Sequence, residues 1–342
     1  MKYKREQAFH DDLYGFPPWK KRLYFSNRND IHLLDLLYKP HSWLAKLSMF
    51  FLNIRFCNVF IMPFLRARLP GIGELGLQKP FAVIRGSNDK RLKFIATYFM
   101  SGIPVFEKFC EKLSSARFDI LREKRILEYL SRSSYDELFV HPQLIDFVSS
   151  NYISIKTRGI FDLETGESFS SLTSPSLQDL ENFCSQICLK HGQQHKKEKT
   201  LVWVVFNNVE TMLGRQGLLS SDLKGDMTTL CLCHGDLTPW NAKILNGTFY
   251  LIDFEHCRFR FPPYYDLIHF WHSTIVLLER VPVKNIADFF PSFLKQCSSS
   301  RRDEIILAGK FYYCLKFLRG DVDIYFLISL LNSLSDLSFE SD

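Results

Sequence analysis

The chain has 342 residues, 46% of them hydrophobic and 15% aromatic, so it can bury more than one small core, and two lobes or a domain with an extension is expected. Its 43 Lys and Arg against 37 Asp and Glu leave a net charge of +6, too mild an excess to mark a nucleic-acid binder. Nine cysteines, an odd number set mostly inside apolar runs such as ICLK and LCLCHG, argue for free thiols in a reducing, cytoplasmic setting and against a disulfide framework.

Residues 1–78 form a basic, aromatic extension that closes on the turn-rich LPGIGELG. Its first residues, MKYKREQAFHDDLYGF, lack the apolar segment and small-residue cleavage site of a secretory signal. From Leu36 to Gly73 there is no acidic residue, while Lys39, Lys46, Arg55, Arg66 and Arg68 are present. The most apolar stretch, Trp43 to Leu65, is interrupted by Lys46, Asn53, Arg55 and Asn58, and charge near a bilayer centre is costly, so a transmembrane span is rejected. Two readings of it stand: Trp43, Phe50, Phe51, Phe56 and Phe60 pack on the lobe that follows, or residues 39–68 lie peripherally on anionic lipid.

From Pro80 the pattern turns to strands. FAVIRG and LKFIATYF read as strands joined by GSNDKR, and IPVFEKFC as a third. SARFDILREKRILEYLSRS places Phe118, Leu121, Ile126, Leu127 and Leu130 on one broad helical face. LFVHPQLIDFVSSNYISIKTRG continues as strand and connector to Gly159, which makes 79–159 a small α+β lobe.

In 160–342 helical patterns dominate: LQDLENFCSQICLKHG, LVWVVFNNVETMLGRQG, YYDLIHFWHSTIVLLERV and RDEIILAGKFYYCLKFL. Cys188, His191 and His195 share a face at helical spacing, though a helix ending in a solvated HGQQHKKEK run is the simpler account. After Arg319 every charge is acidic. Between the second and third helical patterns, TTLCLCHGDLTPWNAKILNGTFYLIDFEHC places two apolar runs around a polar loop. Cys231, Cys233, His234 and Cys257 have zinc-ligand chemistry, but C-x-C is an unusual structural zinc spacing and the strand reads as buried, so core thiols are preferred.

Within that loop Asp236 and Asn241 stand five residues apart, and Asp253 follows twelve residues later at the end of FYLID. In phosphoryl transfer one carboxylate accepts the proton of an attacking hydroxyl, while an Asn and a second carboxylate hold Mg2+ on the phosphates. A hairpin turning at Asn246-Gly247 brings Asn241 and Asp253 to its open end.

HGDLTPWN followed by LIDFE resembles the kinase-like superfamily, in particular its aminoglycoside phosphotransferase and choline kinase branch. The resemblance covers Pro80 to Leu318 and implies an α+β, bilobal protein-kinase-like fold: a β-rich N-lobe at 79–159, a mainly helical C-lobe at 160–342, and the extension 1–78 outside it. It implies an ATP- and Mg2+-dependent phosphotransferase that moves the γ-phosphate to a hydroxyl of a small molecule. On it Asp236 is the catalytic base, Asn241 and Asp253 are metal ligands, His234 anchors the loop, and Asp266 of YYDL braces it through backbone hydrogen bonds. Lys108 of VFEKF, with Lys112 as a nearby competitor, takes the ATP phosphates, and Glu123, fifteen residues on, orients it. RGSNDKR offers a single phosphate-loop glycine, Gly86.

The acceptor side falls on helices of the second lobe, with His269, His272 and Glu279 as candidates, and the acceptor classes are a sugar of a cell-surface glycan or lipid-linked precursor, an aminoglycoside, or an amino alcohol. A protein kinase is disfavoured, because Gly235 stands where such enzymes carry an arginine and only thirteen residues separate Asp253 from Asp266. The non-enzyme alternative is an inactive kinase-like scaffold at a membrane surface.

Overall fold

The computed structural model describes residues 14–16, 23–25, 82–85, 92–100, 103–160, 172–223 and 226–338. The expectations placed on residues 39–68 and on Gly86 lie outside them. In chain order the elements are β1 (Tyr14–Phe16), β2 (Leu23–Phe25), β3 (Ala82–Arg85), β4 (Phe94–Met100), β5 (Ile103–Glu111), α1 (Arg117–Leu130), β6 (Phe139–Val140), β7 (Gln143–Ser149) and β8 (Tyr152–Arg158). There follow α2 (Leu177–His191), β9 (Gln193–Lys196), α3 (Leu201–Leu213), β10 (Met227–Cys233), β11 (Ala242–Leu245), β12 (Thr248–Leu251), β13 (Arg258–Phe261), α4 (Tyr265–Ser273), α5 (Ile286–Leu294), α6 (Arg302–Leu318) and α7 (Ile324–Ser338). The architecture is thus α+β, and the chain divides into two compact units: Met1–Ser133 with His141–Leu172, and Ser134–Val140 with Thr173–Asp342.

In the first unit an antiparallel sheet runs β1-β2-β3-β4-β5-β8-β7. Side chains alternate faces along a strand, so β5 directs Val105 and Phe109 one way and Lys108 and Cys110 the other. Cys110 joins Ala116, Ile120, Ile153 and Ile155 in the core beneath α1. The buried stripe of α1 is Ile120, Glu123, Ile126, Leu127 and Leu130, at spacings of three and four. Phe118, expected on that face, is 55% exposed, with the Arg117 guanidinium 4.7 Å from its ring centroid. The apolar pattern misplaced the face because two of the buried positions, Asp119 and Glu123, are carboxylates.

Ser134–Val140, inside the range 79–159, belong to the second unit because β6 pairs in parallel with β12, Phe139 opposite Phe249. There β10 lies between β13 and β9, and β6 completes a sheet with the β11–β12 hairpin. That hairpin turns through Asn246 and Gly247, both at positive φ, the backbone such two-residue turns need. A capping box of Ser176 and Asp179 starts α2. The helix stops at His191, where Gly192 turns to an extended backbone while its N–H still bonds the Cys188 carbonyl. The run expected to be solvated is the strand β9, antiparallel to β10, so His195 leaves the helical face of Cys188 and His191. His191 instead stacks on Tyr135 with centroids 3.7 Å apart.

Helix α6 contributes Ile305, Ala308, Phe311, Tyr312, Tyr313 and Cys314 to the core of this unit. Cys231, Cys233 and Cys257 are likewise buried, as core thiols should be. Among the described residues no helix is long and apolar enough to cross a membrane.

Candidate active site

The polar loop expected to carry chemistry leaves β10 at His234 and enters β11 after Asn241. Two successive backbone N–H groups fix its start: His234 N donates to Asp266 Oδ2 at 2.6 Å and Gly235 N to Oδ1 at 2.8 Å. Asp266 sits in the first turn of α4 and is buried, which raises its pKa against the opposing effects of His234 and the two N–H groups. His234 Nε2 donates to the Ile252 carbonyl at 2.9 Å, tying the loop to the end of β12. Burial keeps His234 neutral by pushing its pKa down, and its buried Nδ1 has no partner among the described residues. Gly235 has φ +79, and a Cβ there would collide with the His256 carbonyl.

Both oxygens of Asp236 are engaged. Asn241 Nδ2 donates to Oδ2 at 3.1 Å and to the Asp236 carbonyl at 3.0 Å, while His269 Nε2 lies 3.0 Å from Oδ1. Burial by itself would raise the Asp236 pKa, but the His269 hydrogen bond, with the electrostatic influence of the surrounding histidines, reverses the sign and lowers it. Ile252 N donates to the Asn241 carbonyl at 3.0 Å, continuing the ladder one step beyond Ala242 opposite Leu251. Asn241 is therefore opposite Ile252, and Asp253 is the next residue outward on the second arm of the hairpin. Asp253 stands at φ 69, a left-handed conformation that short polar residues tolerate better than others. His256 Nε2 sits 3.4 Å from Glu255 Oε1, which raises the His256 pKa against its burial.

The donor set suits magnesium. Asn241 commits its Nδ2 to Asp236, so its other amide atom is an oxygen, and Asp253 offers carboxylate oxygens; hard oxygen donors of this kind are what Mg2+ takes.

In the first unit Lys108 Nζ lies 2.8 Å from both carboxylate oxygens of Glu123. Glu123 is only 3% exposed, so the ammonium is what makes its charge tolerable there. Lys112, the competing lysine, lies past the end of β5 and is exposed.

The chain is similar to solved small-molecule kinases. It matches a thermostable mutant of aminoglycoside phosphotransferase APH(4)-Ia over 74% of this chain and 92% of that one, at 12% identity and a TM-score of 0.39. It matches a microcompartment-associated aminopropanol kinase over 74% and 89%, at 11% and 0.38. An ethanolamine kinase of Plasmodium vivax matches over 74% and 82%, at 13% and 0.36. No family model matches the chain, and no curated protein does. Likeness at these scores leaves the chemistry to be read from the side chains.

Of the three residues expected on the acceptor side, His269 reaches Asp236. His272 is buried, with Nδ1 3.0 Å from the Tyr313 hydroxyl, and Glu279 is exposed just past the π-helical turn Thr274–Leu278 that follows α4. The contact of His269 was open to inference from the sequence. It lies three residues after Asp266, on the same side of a helix whose first turn clamps the loop.

Proposed function

We propose that the chain is an ATP- and Mg2+-dependent phosphotransferase that moves the γ-phosphate of ATP to a hydroxyl of a small molecule. The observation that carries the reading is the Asp236 carboxylate, fixed through both oxygens on a loop whose own backbone is clamped by Asp266. A carboxylate so held, with its pKa lowered, stays ionised and oriented at neutral pH.

Asp236 is the base. It orients the acceptor hydroxyl and takes its proton as the acceptor oxygen bonds to the γ-phosphorus, while the bond from that phosphorus to the bridging oxygen breaks and ADP leaves with the electron pair. Lys108, held by Glu123, pairs with the α and β phosphates. Asn241 and Asp253 would hold Mg2+, which when bound would neutralise the charge developing on the leaving oxygen. His234 and Asp266 support the loop without meeting substrate.

The acceptor is a small alcohol, a sugar or an amino alcohol. The setting is cytoplasmic, with peripheral membrane contact assigned to residues 39–68.

The test is ADP release from MgATP with sugar and amino-alcohol acceptors, wild type against Asp236→Asn. Loss of a general base removes roughly 10^2–10^4-fold in turnover. Asp236→Asn should lose that much while binding MgATP like the wild type. Undiminished turnover in the variant overturns the assignment, and a wild type inert towards every acceptor favours an inactive scaffold.

A further inference from the structure

We propose that His269 is a positioning residue, which holds the Asp236 carboxylate through its Nε2–H while its Nδ1 faces the buried hydroxyl of Tyr312. This rests on the phosphotransferase reading, in which Asp236 is the base, and adds a residue whose role that reading does not require.

His269 lies on α4 and Tyr312 on α6. Its two ring nitrogens face different groups, Nε2 at 3.0 Å from Asp236 Oδ1 and Nδ1 at 3.2 Å from the Tyr312 hydroxyl. A carboxylate oxygen only accepts, so the nitrogen facing it must bear the hydrogen. Tyr312 can donate or accept, but it is 1% exposed and burial drives its pKa far up, so it keeps its proton. The hydroxyl is therefore a neutral hydrogen-bonding partner for Nδ1, which helps to hold the ring against Asp236.

The charged or titratable groups around the pair are Asp236 on the loop, Tyr265, Asp266 and His272 on α4, Tyr313 and Lys316 on α6, and Asp321 just beyond it. The Lys316 Nζ lies 5.5 Å from the Tyr312 ring centroid and is paired with Asp321 at 3.5 Å. None offers Nδ1 a carboxylate, and the partner of Nδ1 is the Tyr312 hydroxyl.

The consequence is directional. Asn241 and His269 grip opposite oxygens of Asp236, and removing one lets the carboxylate turn about its bond to the chain. Misplacement of a reacting group by about 1 Å costs up to about a hundredfold. Glutamine carries an amide nitrogen at a reach comparable to Nε2 and can restore the donor; leucine fills the space without one.

The experiment combines two readouts. Protein labelled with 15N-histidine gives long-range proton–nitrogen spectra in which the His269 signals are those lost in His269→Gln. The wild type should show a proton on Nε2, and Tyr312→Phe should keep it there, because the Asp236 carboxylate requires a donor at that nitrogen. Slow MgATP hydrolysis, with water as acceptor, should fall about tenfold to a hundredfold in His269→Leu, with the KM for ATP within about twofold of wild type, and His269→Gln should regain most of it. An Nδ1–H tautomer in the wild type, or His269→Leu turning over like the wild type, overturns the proposal. Failure of the wild type itself to bind or hydrolyse MgATP overturns the phosphotransferase reading instead, and the tautomer signal tells the two failures apart.

Discussion

Gly235 shows how far one residue constrains the candidate site. Its φ of +79 lies where other residues cost about 1–2 kcal/mol, and its Cβ position is already taken by the His256 carbonyl. The absence of the arginine that protein kinases carry here therefore has a steric reason in this chain: nothing larger than hydrogen fits between the clamp of Asp266 and the turn after Asp253. Gly235→Ala should shift the loop, displace Asp236 and lower turnover at least tenfold, with a fall of a few degrees in thermal midpoint. Wild-type turnover and midpoint in that variant would show that the loop is not held as tightly as these contacts require. At this scale the sequence was informative wherever chemistry depends on spacing, as for Asp236, Asn241 and Asp253. It was silent where a partner comes from a distant element, as Tyr312 does for His269.

The histidine–tyrosine contacts repeat along the packed helices α4 and α6, His269 with Tyr312 and His272 with Tyr313. The second pair is deeper. Burial, with help from Lys316 and His269, pushes the His272 pKa from 6.5 to about 3. A base whose folded pKa is depressed adds stability that is complete above pH 6.5 and is lost as pH falls towards 3, because the unfolded chain takes up a proton that the folded one refuses. The loss runs at up to about 1.4 kcal/mol per pH unit in that window.

His234 is depressed as well and acts in the same direction. Urea unfolding followed from pH 7.5 to 4.5 should therefore show a steep acid decline that His272→Phe makes shallower but does not abolish. Equal slopes for the two proteins would mean that His272 is not buried neutral. Element boundaries were legible where caps and turns are local, as in the Asn246-Gly247 hairpin and the Ser176 capping box. They failed where tertiary pairing decides: β9 is polar by composition and becomes a strand because β10 offers it a partner. The internal Pro291 of helix α5 breaks the local signal of a helix there.

For the whole molecule, length alone suggested two lobes, and the chain does divide into two compact units. The division is not a single cut, because Ser134–Val140 return to the second unit through the pairing of β6 with β12, a long-range contact that composition cannot show. With a core in each unit, heating need not give a single transition, and ligand effects are read on each transition separately. A ligand that binds the folded chain at about 100 times its Kd adds about 2.7 kcal/mol, a rise on the order of a few degrees. ATP should produce that rise only with Mg2+ present, and Asp253→Ala should remove it. Asp253 lies beyond the last ladder pair of the hairpin, where the alanine withdraws a carboxylate without opening the apolar core around Leu251 and Phe254. A variant that keeps its wild-type midpoint in the absence of ligand and loses the shift has lost the metal and not the fold. A shift that survives either chelation or the alanine would place the nucleotide's phosphates away from Asp253, and the metal role would pass from this residue.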